Sequence, residues 1–151
     1  MSDLCDKTAI ELRRLIGRKD ISPVELLESC ITRIEATDGA VNAVVTRAFD
    51  RARKEALHAE KTVLDGEELG LLHGLPVGIK DLEATDGIRT TLGSKLYADH
   101  IPNKDQGSVA NIRAEGGIII GKTNTPEFGA GANTRNLVFG ATGNPFAPEK
   151  T

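Results

Sequence analysis

The chain has 151 residues, enough for one domain with a sizeable core, and its formal net charge is −3. This acidic balance argues against a general nucleic-acid or anionic-membrane surface, and one tyrosine with four phenylalanines offers few platforms for stacking on bases. Cys5 and Cys30 are too few and too far apart in sequence for a disulfide framework or a zinc site, and the histidines share no metal-ligand spacing.

The sequence carries no sign of secretion or of membrane insertion. Residues 1–7 lack the apolar core of a signal peptide, and no apolar run approaches the length of a membrane span. We therefore expect a protein of the reducing cytoplasm, with neither nucleic acid nor a membrane among its partners.

The first 70 residues predict helices with one short strand between them. Ser22-Pro23-Val24-Glu25 is a capping box with proline at the first helical position, which indicates a helix start. The predicted elements are a helix over 8–16, a helix from Ser22 to about Gly39, a strand over 41–46 and a charged helix over 48–63. We interpret residues 1–70 as an N-terminal helical layer that leads into a core, and not as a separate domain.

Glycine becomes frequent after Leu71, which indicates tight turns around a core. The predicted elements here are a strand ending at Lys80, a helix over 106–115 with Asp105 as its N-cap, and a buried strand over 118–120. A strand, a helix and a second strand in this order favour parallel neighbouring strands joined by a crossover. We therefore expect an α/β fold with a mixed, largely parallel sheet covered by helices, and residues 71–151 form the start of its core.

Residues 116–123 match the phosphate-loop pattern G-x-x-x-x-G-K-[ST] letter for letter. Phosphate binding at such a motif needs a strand, then a loop of free backbone amides, then a helix that starts at the lysine. Here three consecutive isoleucines favour a strand inside the motif, and Asn124-Thr125-Pro126 follows as a turn. We therefore disfavour nucleotide binding at Gly116–Thr123, and we expect Lys122 to order the turn that follows it.

Lys80 ends the apolar run Leu75-Pro76-Val77-Gly78-Ile79, and no convincing nucleophile follows it. A lysine enclosed among apolar residues gives up its proton more readily, because desolvation disfavours the ammonium, and a neutral lysine can take a proton from a hydroxyl. Equally, Lys80 could be an ordinary strand-end lysine that pairs with Asp81 or faces solvent. Because charged side chains are seldom buried, the local pattern alone favours this second interpretation.

A series of short motifs in the second half of the chain reverses that preference. The motifs lie in order at residues 72–81, 87–94, 105, 120–129, 133–134, 139–140 and 144–146. Together they closely resemble the N-terminal part of the amidase signature family, and the resemblance covers essentially the whole chain. Several motifs in one order are far more specific than any one of them.

The resemblance implies an enzyme that hydrolyses a carboxamide C–N bond to an acid and ammonia or an amine. In that family a lysine at this strand end is the base of a Ser–cis-Ser–Lys triad, and Lys80 matches it. Lys80 would take a proton from a bridging serine, which relays it from the nucleophilic serine as that serine attacks the amide carbonyl. Backbone N–H groups would stabilise the oxyanion. The resemblance implies a small-molecule amide substrate and no metal or other cofactor.

The two serines of the triad are not found in residues 1–151. In the family they belong to a Gly-Gly-Ser-Ser-Gly-Gly-type stretch, and the segment after it, just past the turn that matches Asn144-Pro145-Phe146. Ser94 and Ser108 are poor substitutes, because serine so often serves as a turn or cap residue. We therefore expect one incomplete domain in which Lys80 is the only triad member, and which is inactive by itself.

Two further expectations remain. Gly129, Ala130 and Gly131 occupy the segment that runs beside the acyl pocket in relatives, so the resemblance implies that they bind substrate. Alternatively, the chain is a non-catalytic α/β interaction module, and its exposed sheet edge would then favour homo-oligomers.

Overall fold

The computed structural model describes residues 3–151, which form four α-helices and five short strands. The helices are α1 (Ala9–Gly17), α2 (Pro23–Val41), α3 (Phe49–Asp65) and α4 (Gly107–Ala114). The strands are β1 (Val44–Arg47), β2 (Pro76–Lys80), β3 (Ile118–Thr123), β4 (Arg135–Asn136) and β5 (Gly140–Ala141). Three single-turn 3₁₀ helices cover Leu4–Asp6, Lys95–Tyr97 and Glu127–Gly129.

The starts of α1 and α2 follow the capping signals of the sequence. The end of α2 and the start of α4 differ from the prediction. Thr8 and Ser22 both form complete capping boxes, with Glu11 and Glu25 as their partners. α2 continues past Gly39 to Val41, because Asn42 adopts the left-handed conformation that ends it, with φ 57°.

The prediction that Asp105 caps α4 is wrong, since Gln106 occupies the N-cap position without a side-chain bond. The Asp105 carboxylate instead accepts hydrogen bonds from the Asp86 N–H, at 2.7 Å, and from Arg113 Nε, at 3.0 Å. Asp105 therefore ties the loop after β2 to α4 instead of starting the helix.

The main sheet has the order β1-β3-β2. β2 pairs with β3 in parallel, as the strand–helix–strand order predicts, and β1 pairs with β3 antiparallel. The sheet is therefore mixed, with one pair of each kind, and the fold class is α/β. β4 and β5 form a separate two-stranded antiparallel ribbon.

β3 lies at the centre of the fold, because apolar side chains cover it on both faces. Ile118 and Ile120 pack against the buried faces of α2 and α3. Ile119 packs on the other face with Ile79, Val109 of α4 and other residues of that cluster. A strand that is buried on both faces has apolar residues at consecutive positions, which explains the three consecutive isoleucines.

The sheet draws on both halves of the chain, since β1 lies before residue 70 and its partner β3 lies after it. The division into a helical layer over 1–70 and the start of a core over 71–151 stays a prediction. Among the helices of residues 3–151, none combines the length and apolar character needed to cross a bilayer.

Candidate functional site

Lys80 is the last residue of β2, and its side chain is exposed. Successive side chains of a strand point to opposite faces, so Ile79 enters the core while Gly78 and Lys80 lie on the opposite face of β2, where both are exposed. The expectation of a lysine turned inward among apolar residues is therefore not met within residues 3–151. Among the same residues, the Lys80 amine forms neither a hydrogen bond nor an ion pair.

Asp81, the next residue, is not the partner of Lys80. Its side chain is fully buried, and its carboxylate accepts hydrogen bonds from the Thr91 hydroxyl, at 2.5 Å, and from the Thr91 N–H, at 3.1 Å. The Asp81 backbone is held as well, because its N–H donates to the Thr123 carbonyl at 2.9 Å and its carbonyl accepts from the Leu92 N–H at 3.0 Å. The residue immediately after Lys80 is thus fixed at both backbone and side chain.

The buried lysine of this region is Lys122, which has no exposed surface. Its ammonium donates hydrogen bonds to the hydroxyls of Thr85 and Thr90, both at 2.8 Å, and to the Glu83 carbonyl. Both hydroxyls donate their own protons to backbone carbonyls, so each offers only a lone pair to the ammonium. Three acceptors therefore meet the three N–H groups of a protonated lysine.

Burial lowers the pKa of Lys122 from 10.5 to about 8, while the negative charges of Asp81, Glu83 and Asp105 oppose this shift. The ammonium is therefore still the main form at neutral pH. We call Asp81, Thr85, Thr90, Thr91 and Lys122 the buried polar cluster. It fixes the loop that follows Lys80, whereas the sequence led us to expect that Lys122 orders the turn after β3.

A bulge in β3 explains why sequence reasoning missed the place of Lys122. Val77 pairs with Ile119, but Gly78 pairs with Gly121, so that β3 holds one extra residue at this point. Strict alternation would put Lys122 on the face of Ile120, under α2 and α3. The bulge moves Lys122 to the register of Ile79 and hence to the side of the loop.

A glycine permits this bulge. A Cβ atom on Gly121 would lie 2.3 Å from the carbonyl oxygen of Thr46 in β1, which no side chain tolerates. The pattern G-K-T at residues 121–123 therefore reflects close strand packing. Nucleotide binding at Gly116–Thr123 does not fit the structure, because Ile118–Thr123 is a strand and the lysine amine is already enclosed by protein acceptors.

Small residues lie at Gly78 and at residues 129–131, in two segments near Lys80. Gly78 is exposed on the same face, and a Cβ atom there would lie 3.0 Å from the Thr123 methyl group. Gly129 packs close to Leu82, two residues past Lys80, since a Cβ atom at Gly129 would lie 2.8 Å from a Leu82 methyl group. Ala130 and Gly131 follow on an exposed stretch. The segment predicted to bind substrate thus passes beside the loop that follows Lys80.

Neither candidate substitute serine is arranged as a nucleophile. Ser94 is buried, and its hydroxyl accepts a hydrogen bond from the Leu96 N–H at the start of a 3₁₀ turn. The Ser108 hydroxyl donates to the Glu83 carboxylate at 2.6 Å. Ser94 therefore caps a turn, as predicted, whereas Ser108 binds the side chain of Glu83 and caps no helix.

A surface cleft of about 600 Å³ lies away from this region. It is lined by residues of α3 and by Gly116, Gly117 and Ile118, at the start of β3, whereas Lys80 lies beside the end of that strand. Ligands of open α/β sheets bind at the carboxyl ends of the strands, so we regard the Lys80 end as the candidate site. Within residues 3–151 no group of three His, Cys, Asp or Glu side chains is placed to hold a metal ion.

Known proteins are similar to this chain in sequence and in fold. The sequence profile of the Amidase family matches residues 25–151. A glutamyl-tRNA(Gln) amidotransferase subunit from Geotalea daltonii is 40% identical over 144 residues, which cover 95% of this chain and 30% of that protein. The acylamidase of Rhodococcus erythropolis is 38% identical over 139 residues, which cover 92% of this chain and 29% of that protein.

Solved structures agree with the sequence relatives. A bacterial aryl acylamidase of the amidase signature enzymes superposes with a TM-score of 0.88 at 38% identity, over 93% of this chain and 29% of that one. Fatty acid amide hydrolase superposes with a TM-score of 0.91 over 97% of this chain and 26% of that one, and its 22% identity supports the fold alone. The chain spans about 30% of the length of the curated relatives it matches. It therefore belongs to the amidase signature family and corresponds to the N-terminal portion of those enzymes.

Proposed function

We propose that these 151 residues supply the base of a serine amidase, and that Lys80 is that base. The enzyme would hydrolyse the carboxamide C–N bond of a small molecule to an acid and ammonia or an amine. The observation that carries the proposal is the amine of Lys80, which is exposed at the carboxyl end of β2 and unengaged among residues 3–151, in a chain of this family. A base must be free to accept a proton, and Lys122 is not free.

The exposure of Lys80 shapes how the base would work. Water stabilises an ammonium, so an exposed lysine is a poor proton acceptor at neutral pH. On the face of β2 that carries Gly78 and Lys80 both residues are exposed, and Gly78 has no side chain to block an approaching polypeptide segment. We propose that the serine-bearing segment covers this face, removes water from the amine and brings a hydroxyl within hydrogen-bond reach of Nζ.

The remaining parts of the proposal concern the two serines, the complete sheet and the acyl site. The bridging and nucleophilic serines would come from a Gly-Gly-Ser-Ser-Gly-Gly-type segment, and the 151 residues alone would not hydrolyse amides. The three strands would form one part of a larger, largely parallel sheet, and Gly129, Ala130 and Gly131 would line the acyl site. We propose that the enzyme acts in the cytoplasm.

A chimera tests the role of Lys80 directly. Residues 1–151 replace the matching N-terminal segment of the Rhodococcus erythropolis acylamidase, and hydrolysis of an aryl amide is measured for the chimera and for its Lys80→Ala variant. We expect kcat/KM to fall by about 10³-fold or more in that variant, because the bridging serine would lose its proton acceptor. Labelling of the chimera by a fluorophosphonate verifies that the nucleophilic serine is assembled.

The matched control is Lys95→Ala, which removes another exposed lysine, from the 3₁₀ turn Lys95–Tyr97. Its activity should stay within about twofold, as expected for a surface substitution. Full activity of the Lys80→Ala chimera would refute the assignment of the base. Amide hydrolysis by the 151 residues alone would refute the proposal that the serines lie elsewhere.

The second candidate function is a non-catalytic interaction module, which one feature of the sheet favours. In the part of the chain that the structure describes, β2 pairs with β3 on one side, and its other side is open for pairing. Size-exclusion chromatography with light scattering on the 151-residue chain distinguishes the two cases. Concentration-dependent homo-oligomers, together with an inactive chimera that still labels with fluorophosphonate, would favour the module.

A further inference from the structure

Cys5 and Cys30 lie side by side, although 25 positions separate them in sequence. Their sulfur atoms are 3.9 Å apart, and Cys5 Sγ also lies 3.4 Å from the Ser29 hydroxyl. Cys30 belongs to α2, whereas Cys5 belongs to the 3₁₀ turn Leu4–Asp6. The separation in sequence, which argued against a disulfide framework, therefore does not keep the two sulfur atoms apart in space.

Polar contacts hold the 3₁₀ turn against α2. The Asp3 carboxylate accepts a hydrogen bond from the Ser29 hydroxyl at 2.9 Å and forms an ion pair with Arg33 at 2.5 Å. Asp6 forms a second, longer ion pair with Arg33, at 3.3 Å. These contacts flank the cysteines on both sides, so the proximity of the sulfur atoms is a property of the folded chain.

An apolar contact anchors the same turn. Leu4 packs against the core cluster that contains Leu12, Ile16 and Leu26. Polar and apolar contacts thus position the turn together, and the two thiols, each half-buried, are left facing one another. Neither thiol has a role in the proposed amide chemistry.

We propose that Cys5 and Cys30 are an oxidisable dithiol pair, which a small-molecule disulfide such as oxidised glutathione converts to an intramolecular disulfide. Chains in a reducing compartment would carry the two thiols, and oxidation would link the N-terminal turn covalently to α2. The proposal is independent of the amidase proposal, because none of its tests uses activity.

The exchange proceeds in two steps that balance. The Cys5 thiolate attacks one sulfur of oxidised glutathione, the S–S bond of glutathione breaks, and one glutathione leaves with the proton that Cys5 gave up. The Cys30 thiolate then attacks Cys5 Sγ in the mixed disulfide, and the second glutathione leaves with the proton of Cys30. Two protein thiols are oxidised, and one glutathione disulfide is reduced to two thiols.

The surroundings of the two sulfur atoms set the order of these steps. Burial raises the pKa of the Cys30 thiol to about 12, and the neighbouring Cys5 and Asp3 add to the effect, while Arg33 opposes it. Cys30 is therefore a poor first nucleophile, and the exchange begins at Cys5. The short distance between the sulfur atoms compensates in the second step, because that step is intramolecular.

The experiment exposes the 151-residue chain to oxidised glutathione, quenches it by alkylation and measures intact mass and linked peptides. We expect a product that has lost two hydrogen atoms, a peptide pair joined through Cys5 and Cys30, and a Tm higher by roughly 5–10 °C. The Cys30→Ser variant should instead stop at one glutathione adduct on Cys5, with no gain in Tm.

Two further measurements keep the test decisive. The Cys5→Ser variant should keep Cys30 as a free thiol, and it serves if the Cys30 variant does not fold. At equilibrium with a fixed mixture of reduced and oxidised glutathione, the ratio of linked to reduced chain should be at least about tenfold lower in concentrated urea, because unfolding separates the two sulfur atoms. Two glutathione adducts on the wild-type chain, disulfide-linked dimers, or an equal ratio with and without urea would each overturn the proposal.

Discussion

Two lysines lie one register step apart at the ends of β2 and β3, and the structure treats them in opposite ways. Lys122 pairs in register with Ile79, and Lys80 pairs with Thr123. Lys122 faces the loop after β2 and is fully buried, and each N–H group of its ammonium donates a hydrogen bond. Lys80 is exposed at the end of β2, and within residues 3–151 its amine is unengaged.

The difference indicates a structural role for Lys122 and fits the chemical role proposed for Lys80. A buried lysine that donates to three acceptors holds the loop against β3, and its amine is not available to a substrate. An exposed amine contributes little to stability but is available to any group that covers it. The two are nevertheless connected, because the buried polar cluster fixes the loop that begins directly after Lys80. The hydrogen bonds of Lys122 therefore help to fix the position of the strand end that carries Lys80.

The largest expected effect on the free energy of unfolding comes from Lys122→Met, and Lys80→Met is its control. Lys122→Met should reduce the free energy of unfolding by about 3–5 kcal/mol, because the carbonyl and two hydroxyls lose their shared donor and the buried Asp81 loses a nearby positive charge. Lys80→Met should change it by no more than about 0.5 kcal/mol, as is usual for an exposed side chain. Urea unfolding followed by circular dichroism measures both. Equal losses would show that the two lysines do not differ in this way.

A smaller effect is expected from neutralising the carboxylate next to Lys80. Asp81→Asn keeps the size of the side chain but removes the charge that accepts two hydrogen bonds from Thr91. We expect a loss of about 2 kcal/mol, the typical worth of hydrogen bonds to a buried charged group. The control is Asp86→Asn in the same loop, where the side chain is exposed and the change should be near zero. A loss confined to Asp86→Asn would contradict the burial argument.

Much of the fold is contained in local sequence signals. Ser22-x-x-Glu25 starts α2 as predicted, and the same signal at Thr8-x-x-Glu11 starts α1, because a capping box depends only on residues three apart. The isoleucine run of β3 and the parallel pairing with β2 also follow from pattern and element order. Lys80 could be placed at the end of its strand by the same reasoning.

What the sequence did not reveal depends on contacts between distant residues. The bulge that turns Lys122 toward Thr85 and Thr90 arises where β3 meets both of its neighbours, and no local pattern in Gly121-Lys122-Thr123 indicates it. The approach of Cys5 to Cys30 depends on Leu4 finding the core under α1. The exposure of Lys80 depends on what covers one face of β2, and strand alternation alone does not decide that.

The smallest expected effect is a pH dependence that belongs to Lys122. Its pKa is about 8 in the folded chain, lowered by burial from 10.5, so between these values the unfolded chain binds more protons than the folded one. The free energy of unfolding of the wild-type chain should therefore rise with pH in this window, by ~1 kcal/mol between about pH 7 and pH 9 relative to Lys122→Met. Lys80→Met retains the buried amine and should follow the wild-type chain. Urea unfolding at several pH values measures the difference, and a wild-type advantage that stays flat up to pH 9 would mean that the three acceptors hold the proton against the effect of burial.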